Sequence, residues 1–308
     1  MGLALLLTRT VEQEYLFLAG YVVLQFVVLA TAWNILGGIA GYVNFGSAAF
    51  FATGAYASVA LQLTTDLPLA ARLPLAALAG AGLGLGVGAL TLRLRGVFFS
   101  IATVAVAVIC ETVVFNWPLV GGARGVALTP PPVPEGFATT NRMLFVLMTG
   151  LAVLAVALAR GVQHSRLGHG LRALRDSEEA AEASGVPTLR LKLAAAALSG
   201  ALMALAGAPY PLYMNYVEPA SAFGLNTAVS TLAMPLVGGT AAWQGPVLGA
   251  LLLGTVQQAV SVTVSSELNV LATGVLLVAF VAAAPDGLLG LAARLRTRWR
   301  GGTAGGAP

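Results

Sequence analysis

Long apolar runs, separated by short polar or glycine-rich stretches, occupy most of this chain. A helix needs about 20 consecutive apolar residues to cross a bilayer, and runs of that order fall at 15–36, 47–63, 74–92, 97–117, 143–159, 193–213, 226–237, 246–264 and 268–284, the seventh being short. Charge collects between the runs: Arg93 and Arg95 in one gap, ten charged residues within the 33 positions from Arg160 to Lys192, and Arg294, Arg296, Arg298 and Arg300 after the last run. Loops rich in Lys and Arg stay on the cytoplasmic side, and the number of runs between these three segments is consistent with all three lying there. Tracing back from Arg93 puts the N-terminus outside if the first two runs are full crossings, with a re-entrant hairpin there as the alternative. The expected fold is all-α, a polytopic integral membrane helical bundle of about 8–10 spans with Gly-interrupted segments. It is expected to form a single transmembrane domain over residues 1–290, with a cytoplasmic loop at about 160–192 and a basic, disordered cytoplasmic tail at 291–308.

Composition agrees with the pattern. The chain is 58% hydrophobic and 9% charged, where a soluble domain carries roughly 25% charged residues. The net charge of +4 lies in loops rather than across a soluble face, so no nucleic-acid partner is expected. Cys110 is the only cysteine and falls within a run, which leaves packing as its role and rules out a disulfide framework. The short apolar run at the start precedes Arg9 rather than following a charge, the reverse of a signal peptide.

Several chemistries are missing. Lys192, the only lysine, sits between two leucines, so the Gly-rich turn ending in Lys-Ser or Lys-Thr that cradles nucleotide phosphates is absent. His164 and His169 are five apart with no cysteine near them, which does not make a metal set. No arrangement of Ser, His and carboxylate suggests a hydrolase, and neither an enzyme nor a bound cofactor is expected. Glu111 is the single ionisable residue inside a run, six residues before Trp117, and so about 9 Å below that boundary aromatic. A polar pathway residue and a structural carboxylate are equal readings of it.

Two segments interrupt the apolar pattern in the two halves of the chain. Residues 34–47 read NILGGIAGYVNFGS, and residues 234–246 read MPLVGGTAAWQGP. Each has a Gly-Gly pair, an aromatic, an amide side chain and a further glycine. Unwound backbone survives in a membrane only against protein or a water-filled cavity, so such paired interruptions point to a substrate path. Tight turns between spans are the alternative. Asn34, Asn44, Ser47, Thr240 and Gln244, together with Glu111, are the candidate path residues. Gly80, Gly84 and Gly88, at every fourth position, form a small-residue seam on which another helix can pack closely.

Within the polar loop, residues 170–184 have helical character, ended by Gly185 and Pro187. On one continuous helix Arg172, Arg175, Asp176 and Glu179 share a face, with Leu171, Leu174 and Ala181 beside it. Arginines would then occupy the first turns and Glu178, Glu179 and Glu182 the last, opposing the helix dipole by about 0.3–1 kcal/mol per charge. A local rule broken without internal gain suggests a surface shaped for a partner.

These residues resemble a known family. Ser165 to Val186, followed by Leu191-Lys192-Leu193, is similar to the cytoplasmic coupling loop of branched-chain amino-acid ABC importer permeases. The stretch 92–103 with Glu111 downstream, the stretch 41–56 and the stretch 237–250 are similar to further blocks of that family, and most of all to its LivM-type subunits. The four blocks stand in family order over residues 30–255. The resemblance implies a transmembrane permease subunit in the bacterial cytoplasmic (inner) membrane, importing branched-chain amino acids by alternating access. It implies a heterodimer with a second permease subunit, two ATPase subunits that bind the ATP, a periplasmic solute-binding protein, and surrounding membrane lipid. Gly168, Arg172, Arg175, Asp176, Glu179, Ala180 and Gly185 match the coupling-loop motif and are implied to engage the ATPases. His169 stands where the family usually has Arg, and Asn44-Phe45 is closer to the sister subunit. Urea, short amides and other amino acids are alternative substrates in this family, and an ATPase-independent channel or secondary transporter is the alternative outside it.

Overall fold

The computed structural model describes residues 13–263 except 66, 92, 93, 95 and 130–136, together with 274, 275, 278 and 287–291. In chain order the helices are α1 (Glu14–Asn34), continued by a π turn (Ile35–Ile39), α2 (Ser47–Thr64), α3 (Leu69–Thr91), α4 (Val97–Phe115), α5 (Thr140–His164), α6 (Arg166–Asp176), α7 (Glu178–Ala183), α8 (Thr188–Gly207), α9 (Tyr210–Met214), α10 (Pro219–Ala222), α11 (Leu225–Gly238) and α12 (Gln244–Thr263). Two-residue strands β1 (Val126–Ala127) and β2 (Tyr216–Val217) pair antiparallel, Val126 opposite Val217. Among the described residues, six segments are long and apolar enough to cross a membrane, among them 219–238, where α10 lengthens the short seventh run. The protein is an all-α, multi-pass membrane bundle. The first eight predicted runs each coincide with a long helix. The ninth, with Arg93, Arg95 and the basic tail, lies largely outside the described residues.

Contacts at the helix ends sort the bundle into two poles. At one, Arg142 Nε at the start of α5 meets Glu14 Oε1 at the start of α1 at 3.0 Å, Arg72 reaches Gln62, and β1 pairs with β2. At the other lie the 165–187 loop, the end of α1, the starts of α2 and α4, and the α11–α12 turn. Both α1 and α2 therefore run from pole to pole, so the re-entrant hairpin is set aside and the start of α1 lies opposite the polar loop.

Small residues set the packing. Helix α1 is the buried axis, with Val28, Leu29, Ala30 and Ala32 sealed among α5, α8, α11 and α12. The glycine seam proves internal: a methyl group on Gly84 would come within 2.4 Å of the Ala196 carbonyl of α8, and one on Gly80 within 2.4 Å of that of Gly200. Gly82 and Gly86, between them, face open space. Helix α4 is the least covered, its Val97, Phe98, Ile101 and Ile109 all at least 60% exposed, as suits a face against lipid or another apolar surface.

One expectation is corrected. Residues 170–184 are not one helix: Ser177 is extended (φ −161°, ψ 111°) and its hydroxyl accepts from the Ala180 N–H at 3.3 Å, starting α7. Glu178 and Glu179 thus occupy the first turn of a new helix and Arg175 the last turn of α6, as the dipole favours. The charge conflict inferred from a continuous helix is relieved at Arg175, Glu178 and Glu179, while Glu182 still ends α7, and Arg172, Arg175, Asp176 and Glu179 do not share one helical face.

Candidate functional site

The site begins where α1 loses its regular hydrogen bonding. After Asn34 the helix widens into the π turn, and the Tyr42 N–H reaches back six residues to Leu36 O at 3.1 Å. Gly41 follows the helix end at φ +79°, a left-handed conformation that suits glycine. From there the chain runs without regular secondary structure to Gly46, held by side-chain hydrogen bonds. Trp33 Nε1 donates to Asn44 O at 2.7 Å, and Asn44 Oδ1 accepts from the Gly46 N–H at 2.7 Å. Ser100 Oγ donates to Val43 O at 2.9 Å, and the Phe45 N–H donates to Thr103 Oγ1 at 3.1 Å. Asn34 Oδ1 and Ser47 Oγ are buried without a hydrogen-bond partner, a costly arrangement for polar groups.

The polar loop is built onto this segment. The Ser165 hydroxyl accepts from the Gly168 N–H at 3.3 Å and starts α6, and Gly168 lies so close to α5 that a methyl group there would stand 2.2 Å from Val162 O. Leu171, Leu174 and Ala181 are buried. The arginines then cap other helices: Arg172 Nη2 donates to Gln163 O in the last turn of α5, and Arg175 Nη1 donates to Gly38 O in the π turn at 2.7 Å. Helix C-termini leave carbonyls unpaired and carry partial negative charge, so a guanidinium is favoured there. Beside them Glu178 accepts from Tyr42 Oη at 2.7 Å and pairs with Lys192 Nζ, which also lies 4.8 Å from the Tyr42 ring centre. Lys192 is 2% exposed; a lysine that deep normally needs such a partner. Gly185 (φ +80°) closes α7, with the Val186 N–H on Ala181 O.

The second interrupted segment is a tight hairpin. Helix α11 continues through Pro235 to Gly238, Gly239 adopts φ 106°, and Gly245 lies so close to the Gly239 carbonyl that a side chain would collide with it at 1.7 Å. Gln163, next to the loop, holds the hairpin by accepting from the Trp243 N–H at 2.8 Å. A cavity of about 780 Å³ opens where the three pieces meet, walled by Trp33, Gly41 and Tyr42, by Arg175 and Glu178, and by Thr240.

Of the residues singled out from sequence, Arg175, Asp176 and Thr240 line this cavity. Asn34, Asn44 and Ser47 are buried in the surrounding wall, and Gln244 is exposed outside the lining. Glu111 lies on α4 about 21 Å from that helix's start at this pole. Arg172, Asp176, Glu179 and Ala180 are exposed on the loop surface. Trp33, Tyr42, Glu178 and Lys192 were not singled out. Lys192 had a visible signal, a lone lysine flanked by leucines at a helix start. Among the described residues, no three of His, Cys, Asp or Glu gather as a metal set would.

A helical membrane bundle with a polar loop clamped to a broken helix has the build of a transport subunit. The family model for "Branched-chain amino acid transport system / permease component" matches residues 16–281, and the chain belongs to that family. It is 26% identical over 289 residues to the high-affinity branched-chain amino acid transport system permease protein LivM of Salmonella typhimurium, covering 86% of this chain and 67% of that protein. LivM of Escherichia coli K12 is similar to the same extent. The corresponding permease protein LivH of Salmonella typhimurium is 26% identical over 152 residues, about half of each chain (49% and 48%). No solved structure matches significantly.

Proposed function

We propose that this chain is one permease subunit of an ATP-binding-cassette importer, carrying branched-chain amino acids inward across the bacterial cytoplasmic membrane. The partners in this reading are a second permease subunit, two ATPases that bind the ATP, and a periplasmic binding protein that delivers substrate. The chain itself catalyses no reaction and holds no cofactor; its part is a change of shape. The observation that carries the reading is the junction at the loop pole, where Arg175, Glu178 and Thr240 converge on one cavity with the broken end of α1. A loop so placed can pass a push from outside the bundle to the wall of a path within it. The exposed Asp176, Glu179 and Ala180 are the part offered to the ATPases.

Co-purification and uptake test this reading. Expressed with its neighbouring transport subunits, the unmodified chain is expected to co-elute with an ATPase and to support leucine uptake. Asp176→Arg with Glu179→Arg is expected to weaken that association by about 10- to 100-fold, the range for opposed charges at a polar interface. Uptake that persists without any ATPase would favour the channel or secondary-transporter reading. Uptake of urea or a short amide in place of leucine would change the substrate alone.

A further inference from the structure

Arg175 matches the coupling-loop motif, yet its guanidinium does not point only outward. It donates to Gly38 O, a carbonyl in the five-residue π turn that ends α1. The arginine stem covers the same turn: a methyl group on Gly41 would lie 3.0 Å from Arg175 Cγ and 3.5 Å from its Cβ. The turn closes with an ordinary 3.1 Å bond from the Tyr42 N–H to Leu36 O, and the buried Asn34 Oδ1 beside it has no hydrogen-bond partner. π turns are rare and concentrate at functional sites. Next to the cap, Glu178 is held by Tyr42 and by the buried Lys192 of α8. The loop therefore touches the end of α1 and the segment after it at two points, one through the Gly38 carbonyl and one through the Tyr42–Glu178 hydrogen bond, and the ion pair ties that second point to α8.

We propose that Arg175 is a removable C-terminal cap on α1, positioned by the Glu178–Lys192 pair. Movement of the loop withdraws the guanidinium from Gly38 O, the π turn loosens, and the Trp33–Tyr42 wall of the cavity rearranges. Arg175 is thus a positioning residue that links loop movement to the path, while the ATPase surface lies on Asp176, Glu179 and Ala180. The inference rests on the importer reading above, since separate ATPases must move the loop.

The test uses the assembled transporter in lipid vesicles with its binding protein, comparing the unmodified chain with Arg175→Met and Arg175→Lys. ATP hydrolysis and leucine uptake are read together. The ATPases are expected to co-purify with all three. Uptake per ATP hydrolysed falls about tenfold or more in Arg175→Met, within the usual range of coupling between sites, and by less in Arg175→Lys, which keeps a cationic donor. Hydrogen exchange over residues 36–42 supplies a readout that a merely structural role does not move. In the unmodified transporter it is expected to be about tenfold faster in the vanadate-trapped state than without nucleotide; in Arg175→Met it is fast in both states. An unchanged uptake-to-ATP ratio in Arg175→Met, or exchange at 36–42 that is the same with and without nucleotide in the unmodified transporter, overturns the proposal. Loss of the ATPases from Arg175→Met with exchange at 36–42 unaltered also overturns it, making Arg175 a docking residue. Failure of the unmodified chain to bind an ATPase sinks the importer reading itself, a result separable from all of these.

Discussion

Lys192 and Glu178 carry the largest energetic stake of any side-chain pair at the site. Lys192 is nearly sealed from solvent, and its ammonium is compensated by Glu178, which also accepts from Tyr42. Breaking a buried pair by removing one member costs about 3–5 kcal/mol, whereas replacing both with apolar groups is often close to neutral. Lys192→Met and Glu178→Leu are therefore each expected to lower the melting temperature of the purified protein, and the double variant to recover most of the loss. Additive losses in that double-mutant cycle would show that the pair contributes nothing through mutual contact. Ser177 has a smaller but diagnostic role. Its hydroxyl caps α7, and Ser177→Ala is expected to destabilise that helix by about 1 kcal/mol. Amide exchange over residues 178–183 should then quicken about fivefold, with 166–176 unaffected; acceleration across both helices would mean that they behave as one unit.

At the scale of the elements, the glycine seam divides into two kinds of position that sequence alone does not distinguish. Gly84 meets the α8 backbone and Gly86 meets nothing, although both belong to the same run of alternating glycines. Gly84→Leu is expected to force α3 from α8 and abolish recovery of folded protein from membranes, while Gly86→Leu is tolerated. Equal recovery of the two would refute the seam. The same contrast shows what could be read from sequence and what could not. Helix positions followed from apolar run lengths, because a bilayer fixes how long a helix must be. The break at Ser177 did not: Ser favours a helix N-cap over the interior, but the strong helix formers on both sides of it hid that signal, and tertiary anchoring of α6 and α7 decided the matter. The two glycine-rich segments were recognised as a pair, yet their amides were overvalued: the Asn44 side chain holds its own turn, and Gln244 is exposed outside the cavity. Trp33 and Tyr42 escaped notice because an aromatic in an apolar or glycine-rich stretch gives no sign of which neighbour it will meet.

For the whole molecule, the two poles make a prediction about sidedness. Among the described residues, six arginines and lysines lie at the loop pole (Arg160, Arg166, Arg172, Arg175, Arg190 and Lys192) and three at the other (Arg72, Arg124 and Arg142), where Arg142 is paired with Glu14. Orientation follows Lys and Arg in short loops rather than net charge, so the excess assigns the loop pole to the cytoplasm. The four acidic residues among those six basic ones, Asp176, Glu178, Glu179 and Glu182, do not weaken that assignment. The pole with Ala123 then faces outward, as it must if a soluble protein delivers substrate there. In a Cys110→Ala background, Ala123→Cys and Ser184→Cys place single thiols at exposed positions of the two poles. A membrane-impermeant maleimide added to intact spheroplasts should label position 123 and leave 184 unmodified, and inside-out vesicles should reverse the result. Labelling of 184 from outside would invert the bundle. The exposed face of α6 and α7 could not then meet a cytoplasmic ATPase, and the importer reading would fail with it.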